Sequence, residues 1–301
     1  TGPVIGFLGR EDAGVLFKAH EAFLAGLAEG GYVPGRTVTI EYRLAADRDD
    51  LLTQFAADLA KPPIVAILAA GQGAAVAAKA ATKTLPIVFA SATDGTDAGL
   101  VGESSKIVGN VTGAGMSPPA DLETQRLALL REIVPNADKV GVLIRPSLAE
   151  STGQLSALQI AAQKMGVRLI VLPATTAADI SLAYAHLAGQ GARAAIVCDD
   201  PFPGSLRQAL IATAAAAKMP TVYPLPVYAE AGGLVSFGAD VTAAYRAAGG
   251  QMARILKGAK PIDVPIQHPT AVRLVVNAAA AKAQGLTLPP ALLSRANATV
   301  N

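Results

Sequence analysis

Cysteine, tryptophan and aromatic residues in general are scarce in this chain of 301 residues. The single cysteine, Cys198, excludes an intramolecular disulfide framework and any metal site built from several cysteines. It ends an apolar run and is interpreted as a small buried residue rather than a nucleophile. Tryptophan is absent, aromatic residues make up 4% of the chain, and the net charge is only +2. Without a basic block or interleaved aromatics, no nucleic-acid partner is expected.

The residues that catalysis or metal binding would require are also missing. The three histidines, His20, His186 and His268, share no ligand-like spacing, so the sequence predicts neither a metal site nor a cofactor. There is no G-x-S-x-G nucleophile elbow, and no Ser/His/Asp set falls at a common sheet edge. The chain is therefore expected to bind a ligand without transforming it.

Long uninterrupted hydrophobic runs are absent, although hydrophobic residues make up 51% of the chain and charged residues 16%. The uncharged stretch from Ile64 to Ala78 contains glycine and glutamine and splits into a strand and a helix. Since a membrane-spanning helix needs about 20 consecutive apolar residues, no stable membrane insertion is predicted. No leader precedes the first apolar run, Val4 to Leu8, and any export signal is expected to have been removed.

The sequence does contain a regular alternation of short apolar runs and longer alanine-rich stretches. The predicted strands are Val4–Leu8, Val38–Arg43, Ile64–Ala69, Ile87–Ala90, Val140–Ile144, Arg168–Leu172, Ala194–Cys198, Thr221–Tyr223 and Leu234–Phe237. The predicted helices are Leu16–Glu29, Arg48–Ala60, Ala74–Thr82, Ala120–Ile133, Gly153–Met165, Ala177–Leu187, Ser205–Lys218, Val241–Leu256 and Asn277–Gln284. Strands that are apolar throughout and separated by helices indicate α/β architecture with parallel sheets covered on both faces.

The alternation runs twice and predicts two doubly wound parallel-sheet lobes. The Gly- and Pro-rich passage 109–123 is interpreted as a crossing between them. The lone helix and extended segment over 241–276 indicate that the chain returns to lobe 1 before it ends in lobe 2. Three crossings would form a hinge, with a ligand cleft at the carboxyl ends of both sheets. The expected lobes are residues 1–115 with 240–266, and 116–239 with 267–301.

The turn Gly71-Gln72-Gly73 follows an apolar strand and opens a helix that continues with Ala74. Free N–H groups and partial positive charge at such a helix start stabilise a carboxylate or phosphate. A dinucleotide fingerprint is disfavoured, because Val76 replaces the third glycine and the motif follows the third strand rather than the first. Tight-turn packing alone is an alternative, and binding of a ligand carboxylate is favoured.

Two further loops at predicted strand ends carry polar side chains. Ser91 and Thr93 offer hydroxyls, while Asp94 either accepts hydrogen bonds from a ligand amine or forms an Asx turn with its own backbone. In lobe 2, Asp199 and Asp200 follow a buried strand. A catalytic dyad is unfavourable there, because adjacent residues of an extended chain point in opposite directions. One carboxylate is expected to face the cleft and the other to cap the next helix.

Other candidate contacts come from charged and aromatic residues near strand ends. Arg145 offers a guanidinium that can hold a carboxylate bidentately, with a surface ion pair as the alternative. Phe202 and Tyr223 offer rings to a ligand wall. The predicted ligand contacts are Gly9, Arg10, Gly71, Gln72, Gly73, Ala74, Ser91, Ala92, Thr93, Asp94, Arg145, Asp200, Phe202, Tyr223 and Phe237.

Several stretches of the sequence resemble a single family. They are GYVPGRTVTIEYRLA (Gly31–Ala45), AATKTLPIVFA (Ala80–Ala90), GNVTG (Gly109–Gly113), YAEAGGLVSFGAD (Tyr228–Asp240), ILKGAKPIDVPIQHPT (Ile255–Thr270) and LVVNAAAAKAQGLTLPPALLSRA (Leu274–Ala296). Over nearly its whole length the chain resembles ABC-transporter substrate-binding proteins related to the tryptophan/tyrosine-type binding protein. The resemblance implies a type I periplasmic-binding-protein fold, export from the cytoplasm, and ligand delivery to a membrane permease and its ATPase.

The chain departs from this family's pattern at two strand ends. Arg145 and Pro146 stand where many relatives carry Asn-Pro, and ASATDGTDAGL, from Ala90 to Leu100, stands where relatives often show Asp-Pro. Both positions are expected to face the cleft. They favour a ligand with an acidic group of its own.

The expected function is therefore that of a solute receptor for an ABC importer, periplasmic or lipid-anchored outside the cytoplasm. It would close around a small carboxylate, with an aromatic amino acid or aromatic acid favoured. A cytosolic sensor domain on the same scaffold is an alternative, although it would need a DNA-binding headpiece for which no residues are left over. An α/β enzyme using Asp199 and Asp200 is a third, disfavoured by the missing nucleophile–base set.

Overall fold

A computed structural model describes residues 2–10, 13–46, 48–92, 94–96, 98–102, 106–107, 109–145, 149–198 and 204–301. The chain divides into two compact units. Unit 1 comprises Thr1–Ser117 and Asp240–Ala271, and unit 2 comprises Pro118–Ala239 and Val272–Asn301. The chain therefore passes from one unit to the other after residues 117, 239 and 271.

Unit 1 is a parallel sheet with helices on both faces. Numbered along the whole chain, its strands are β1 (Val4–Gly9), β2 (Thr39–Leu44), β3 (Ile64–Ala70), β4 (Ile87–Ser91) and β7 (Val111–Gly115), with a short antiparallel pair formed by β5 (Val101–Gly102) and β6 (Lys106–Ile107). Its helices are α1 (Ala13–Glu29), α2 (Asp49–Leu59), α3 (Gln72–Ala81) and α9 (Val241–Leu256). The main sheet has the order β2-β1-β3-β4-β7.

The central strands β1, β3 and β4 of unit 1 are largely apolar because both faces of the sheet are covered there. On one face Ile5 and Phe7 pack with residues of α1 and α9, and on the other Leu8 and Ile67 pack with residues of α2 and α3. All four of these side chains are at most 1% exposed. In these central strands, polar groups can therefore reach solvent only beyond the strand ends.

Unit 2 repeats this plan and adds a C-terminal extension. Its strands are β8 (Lys139–Ile144), β9 (Arg168–Pro173), β10 (Ala194–Val197), β11 (Thr221–Tyr223), β12 (Val235–Ala239), β13 (Val272–Asn277) and β14 (Ala298–Val300). Its helices are α4 (Leu122–Ile133), α5 (Ala149–Met165), α6 (Ala177–Gly189), α7 (Gly204–Ala216), α8 (Pro226–Glu230), α10 (Ala278–Ala283) and α11 (Pro290–Arg295). The sheet has the order β14-β13-β12-β11-β10-β8-β9, in which β13 runs antiparallel to β12.

The α/β class with parallel-sheet lobes is confirmed. The chain does cross between the units within the passage 109–123, after Ser117, but the first part of that passage is a strand and not only a crossing. Within the passage 109–123, residues Val111–Gly115 form β7, which pairs with β4 over its whole length. The hydroxyl of Thr112 donates to the carbonyl of Val264 at 2.6 Å. Glycine in this passage allows β7 to pack closely against its neighbours. Because a glycine-rich composition is also typical of loops, the sequence pattern alone did not predict a strand here.

The unit boundaries also differ by a few residues from the expected ones. Gly115 N–H donates to the carbonyl of Gln267 at 3.0 Å, and Ser117 N–H donates to the carbonyl of Pro269 at 2.8 Å. These bonds extend the edge of β7 with the returning segment. Residues 116–117 and 267–271 therefore belong to unit 1 rather than to unit 2.

Close contact between α1 and α9 holds the returning helix against the first half of unit 1. A Cβ added at Gly249 would lie 2.2 Å from the carbonyl oxygen of Phe23 and 2.7 Å from the backbone nitrogen of Leu27. A Cβ added at Gly26 would lie 2.0 Å from the carbonyl oxygen of Arg246. Such distances are shorter than van der Waals contact, so the two backbones approach only because glycine faces each helix.

We expect Gly249→Ala to lower the free energy of unfolding of the protein by about 1–3 kcal/mol, since overpacking forces the two helices apart. Thermal and urea unfolding followed by circular dichroism measure the change. Gly250→Ala is the matched control in the same helix, because no described atom beyond its own helix and chain neighbours would lie within 4 Å of the new Cβ. That variant should be unchanged or stabilised by about 0.5–1 kcal/mol. Equal effects at both positions would contradict the role given to this contact.

Candidate functional site

The strand order of unit 1 fixes where a ligand edge can form. The chain goes from β1 to β2 on one side and then to β3 on the other, which makes the gap between β1 and β3 the topological switch point. In the register, Gly9 lies opposite Ala70. The residues that follow, Arg10 and Gly71, therefore come side by side at the carboxyl edge.

The turn at Gly71 opens α3 toward this edge. Gly71 has φ 93° and ψ 161°, in the left-handed half of the map that favours glycine. Its N–H donates to the carbonyl of Ala90 at 2.7 Å, which anchors the turn to β4. The helix begins at Gln72, and Ala74 is buried against the core. Because glycine has no side chain to cap them, the first helical amides form an electropositive end suited to an anion.

Arg10 lies beside this helix start and is oriented by a residue that the sequence analysis missed. Its Nε donates to Oδ1 of Asp49 at 3.0 Å, and its side chain is 20% exposed whereas that of Asp49 is 75% exposed. A Cβ added at Gly73 would lie 3.7 Å from Cδ of Arg10. An exposed ion pair contributes little stability, but it holds the Arg10 side chain beside the starts of α2 and α3.

The end of β4 supplies polar groups in a mostly local arrangement. Ser91 is 2% exposed, and its carbonyl accepts from Met116 N–H at 3.1 Å. Oδ1 of Asp94 accepts from Thr96 N–H at 2.9 Å, which is the Asx turn weighed against a ligand contact. Ala92 is exposed. The predicted contact Thr93 lies outside the described residues.

In unit 2 the switch point falls between β8 and β10, because the chain reaches β9 on one side of β8 and β10 on the other. Arg145 follows the last residue of β8 and is half-buried. Cys198 N–H donates to the carbonyl of Leu143 at 3.1 Å, and the cysteine is 0% exposed, which confirms its interpretation as a core residue. The predicted contacts Asp200 and Phe202 lie outside the described residues.

The structure assigns the two other predicted aromatic contacts of unit 2 to packing. Tyr223 is 1% exposed, and its ring stacks on Tyr228 with centroids 5.1 Å apart and planes at 11°. Burial raises the pKa of Tyr223 well above its ordinary value. Phe237 packs on the sheet face covered by α4, beside a shallow cavity of about 370 Å³ that Leu129 and Leu274 also line. Tyr223 and Phe237 were expected to contact a ligand because they end predicted strands. Side chains alternate between the two faces along a strand, however, and both rings lie on a face of the sheet.

The sequence analysis also missed Arg126, the largest fully buried side chain among the described residues. Its guanidinium donates to the carboxylate of Glu123 and to the carbonyls of Phe237 and Pro224. The spacing alone indicates that Arg126 is buried, because residues 126, 130 and 133 lie on one face of the helix and positions 130 and 133 are leucine and isoleucine. A Glu and an Arg three residues apart on a helix more often form a solvated pair. For that reason the sequence did not predict burial of this pair.

Within the described ranges, no group of three or more His, Cys, Asp or Glu side chains could hold a metal ion. No helix in the described part of the chain is both long and apolar enough to span a membrane.

The fold and its switch-point edges define a class: a type I periplasmic-binding-protein fold. The chain belongs to the ABC transporter substrate binding protein family, whose model matches residues 12–300. It is 25% identical over 262 residues to the tyrosine-binding protein of Clostridioides difficile (strain R20291), covering 87% of this chain and 75% of that protein.

Solved structures agree with the family match. A domain from Streptococcus pneumonia in complex with L-Trp is 26% identical, with a TM-score of 0.87 and coverage of 100% of both chains. A conserved domain protein from Vibrio cholerae is 27% identical, with a TM-score of 0.86, and covers 99% of this chain and 100% of its own. The family and these relatives identify the chain as a substrate-binding protein, and the resemblance seen in the sequence is confirmed.

The buried tyrosines of unit 2 predict an alkaline limit to stability. Tyr184 is 1% exposed, its hydroxyl lies 3.2 Å from Oγ1 of Thr221, and burial raises its pKa to about 12. Since an unfolded tyrosine titrates near pH 10, the folded protein holds more protons between about pH 10 and 12, and stability falls as pH rises through that window.

We expect Tyr184→Phe to reduce this fall by up to about 1.4 kcal/mol per pH unit while costing about 1 kcal/mol at neutral pH for the lost hydroxyl contact. Urea unfolding of both proteins from pH 8 to 12 measures the difference. Parallel pH profiles would show that the Tyr184 hydroxyl does not titrate as a buried group.

Proposed function

We propose that the chain is the extracytoplasmic solute-binding component of an ABC importer and binds a small ligand through its carboxylate. An aromatic amino acid or aromatic acid is the favoured ligand. Membership of the family supports the transport role, and the relatives described as tyrosine-binding and as an L-Trp complex support the ligand class. The protein would work outside the cytoplasm, after removal of a leader, and either free or lipid-anchored.

One observation carries the choice of a carboxylate. At the switch point of unit 1, the uncapped start of α3 at Gly71 and the side chain of Arg10, held by Asp49, directly follow two paired strands. Backbone amides at a helix start and an arginine fork both recognise an anionic head group. Gln72, Gly73 and Ala74 would supply the amides, with Gly9 and Ser91 bordering them.

Arg145 would act from the corresponding edge of unit 2. It follows β8 at the second switch point, where this architecture binds ligands. A ligand held by both units favours the closed arrangement only to the extent that it binds that arrangement more tightly than the open one. The three chain passages would serve as the hinge, and the closed, loaded protein would be what the permease and its ATPase recognise. No bond is made or broken in the ligand.

Calorimetric titration with L-Trp and L-Tyr, each compared with tryptamine and tyramine, tests the ligand class. The amines keep the ring and the amino group but lack the carboxylate. We expect at least one of the two amino acids to bind and its matching amine to bind at least 100-fold more weakly. Equal affinity of acid and amine would refute head-group recognition, and binding of none would refute the aromatic amino-acid class.

Native mass spectrometry of freshly purified protein provides an independent measurement of the same proposal. A co-purified small molecule with a carboxylate would support it. A co-purified ligand without an acidic group would oppose it.

We expect Arg145→Gln to weaken binding of the carboxylate ligand about 10- to 100-fold, as removal of one charge-assisted hydrogen-bonding partner does. Arg193→Gln is the matched control, because Arg193 is exposed and precedes β10 at the opposite edge of the same sheet. Isothermal titration of both variants measures the change. Unaltered affinity of Arg145→Gln would remove this residue from the ligand site.

A further inference from the structure

Arg126 connects α4 to the ends of two strands through a fully buried guanidinium. Its Nε donates to the carbonyl of Phe237 at 2.7 Å, and its Nη2 donates to the carbonyl of Pro224 at 3.3 Å. Its Nη1 donates to Oε1 of Glu123 at 2.7 Å. A buried charge is unfavourable unless it is paired and hydrogen-bonded, and these contacts supply both.

The two carbonyls belong to the carboxyl ends of neighbouring parallel strands. Pro224 directly follows the last residue of β11, and Phe237 lies two residues before the end of β12. Arg126 therefore crosses the gap between these ends from the α4 face, where the guanidinium's fixed fork matches two separate acceptors.

Gly238 shows how tightly these groups meet. A Cβ added there would lie 1.7 Å from the carbonyl oxygen of Pro224 and 2.7 Å from Nη2 of Arg126. At Gly238 there is thus no room for a side chain, because the backbone of β12 lies directly against the turn after β11 and the guanidinium of Arg126. A change in the guanidinium's position would shift the ends of both strands.

We propose that Arg126 is a positioning residue for the ligand edge of unit 2. Its hydrogen bonds fix the ends of β11 and β12, which share an edge with Arg145 and lead to the chain passage after Ala239. The link to ligand binding rests on the proposed function. A hydrophobic residue of similar volume would often be at least as stabilising as a buried ion pair, so the presence of arginine favours a role in geometry.

Two variants separate positioning from simple stabilisation. Arg126→Lys keeps a positive charge beside Glu123 but lacks the fork that reaches both carbonyls. Glu123→Gln keeps the fork and its carbonyl contacts and removes the charge of the partner. Both should lower the melting temperature, whereas only Arg126→Lys should loosen the strand ends.

Hydrogen–deuterium exchange without ligand and calorimetry with L-Trp and L-Tyr are the measurements. In Arg126→Lys we expect exchange in peptides spanning 222–226 and 235–240 to accelerate at least tenfold and affinity to fall at least tenfold. In Glu123→Gln both should stay within threefold of the wild type. Should Arg126→Lys not fold, Glu123→Gln with Arg126→Gln replaces it, because that double variant leaves no unpaired buried charge.

Each other outcome is decisive. Unchanged exchange at the strand ends in Arg126→Lys would overturn the positioning role, as would equal losses of affinity in both variants that follow their losses of stability. Failure of the wild type to bind either amino acid would overturn the proposed ligand class, while the exchange measurement would still decide whether Arg126 holds the strand ends.

Discussion

Strands that are buried on both faces must keep their polar chemistry at their ends, and this constraint determines where the protein can recognise a ligand. In β1 and β3, the side chains of Ile5, Leu8 and Ile67 fill cores on opposite sides of one sheet. A charged side chain at any position within such a strand would lose its hydration, which is unfavourable in free energy. Parallel pairing then brings the strand ends to one edge, where Arg10 and Gly71 meet because Gly9 pairs with Ala70.

The same constraint makes the buried Arg126 informative. A charged side chain in the α4 face is tolerated because two of its partners are backbone carbonyls at strand ends, where regular pairing stops providing donors. The buried Arg126 thus links a helix to two strand ends through its hydrogen bonds, a role that an arginine on the surface does not have. The glycine at 238 belongs to the same arrangement, since any larger residue would occupy the space of the Pro224 carbonyl.

The sequence predicts most of this fold because short apolar runs separated by helical stretches need no tertiary information: β1, β3, β8 and their helices follow from pattern alone. Short or glycine-rich strands such as β7 and β14 depend on pairing partners that the local sequence does not reveal. The positions of Arg10 and Gly71 just beyond the ends of β1 and β3 were also predictable, whereas their contact with a ligand stays a prediction. The direction of a side chain near a strand end was not predictable, because position alone does not show whether a ring packs on a face of the sheet, as Tyr223 and Phe237 do, or extends beyond its edge.

If the proposed function holds, the ligand's head group and its side chain would be recognised by different parts of the fold. Head-group contacts would come from the start of α3 and from arginines at strand ends, which suit any carboxylate. With Tyr223 in the core and Phe237 on the α4 face, selection among side chains would fall to loop residues rather than to the sheets. Loops change readily without disturbing a core. That division is compatible with relatives that share 25–27% identity and a common fold, one described as tyrosine-binding and another solved with L-Trp.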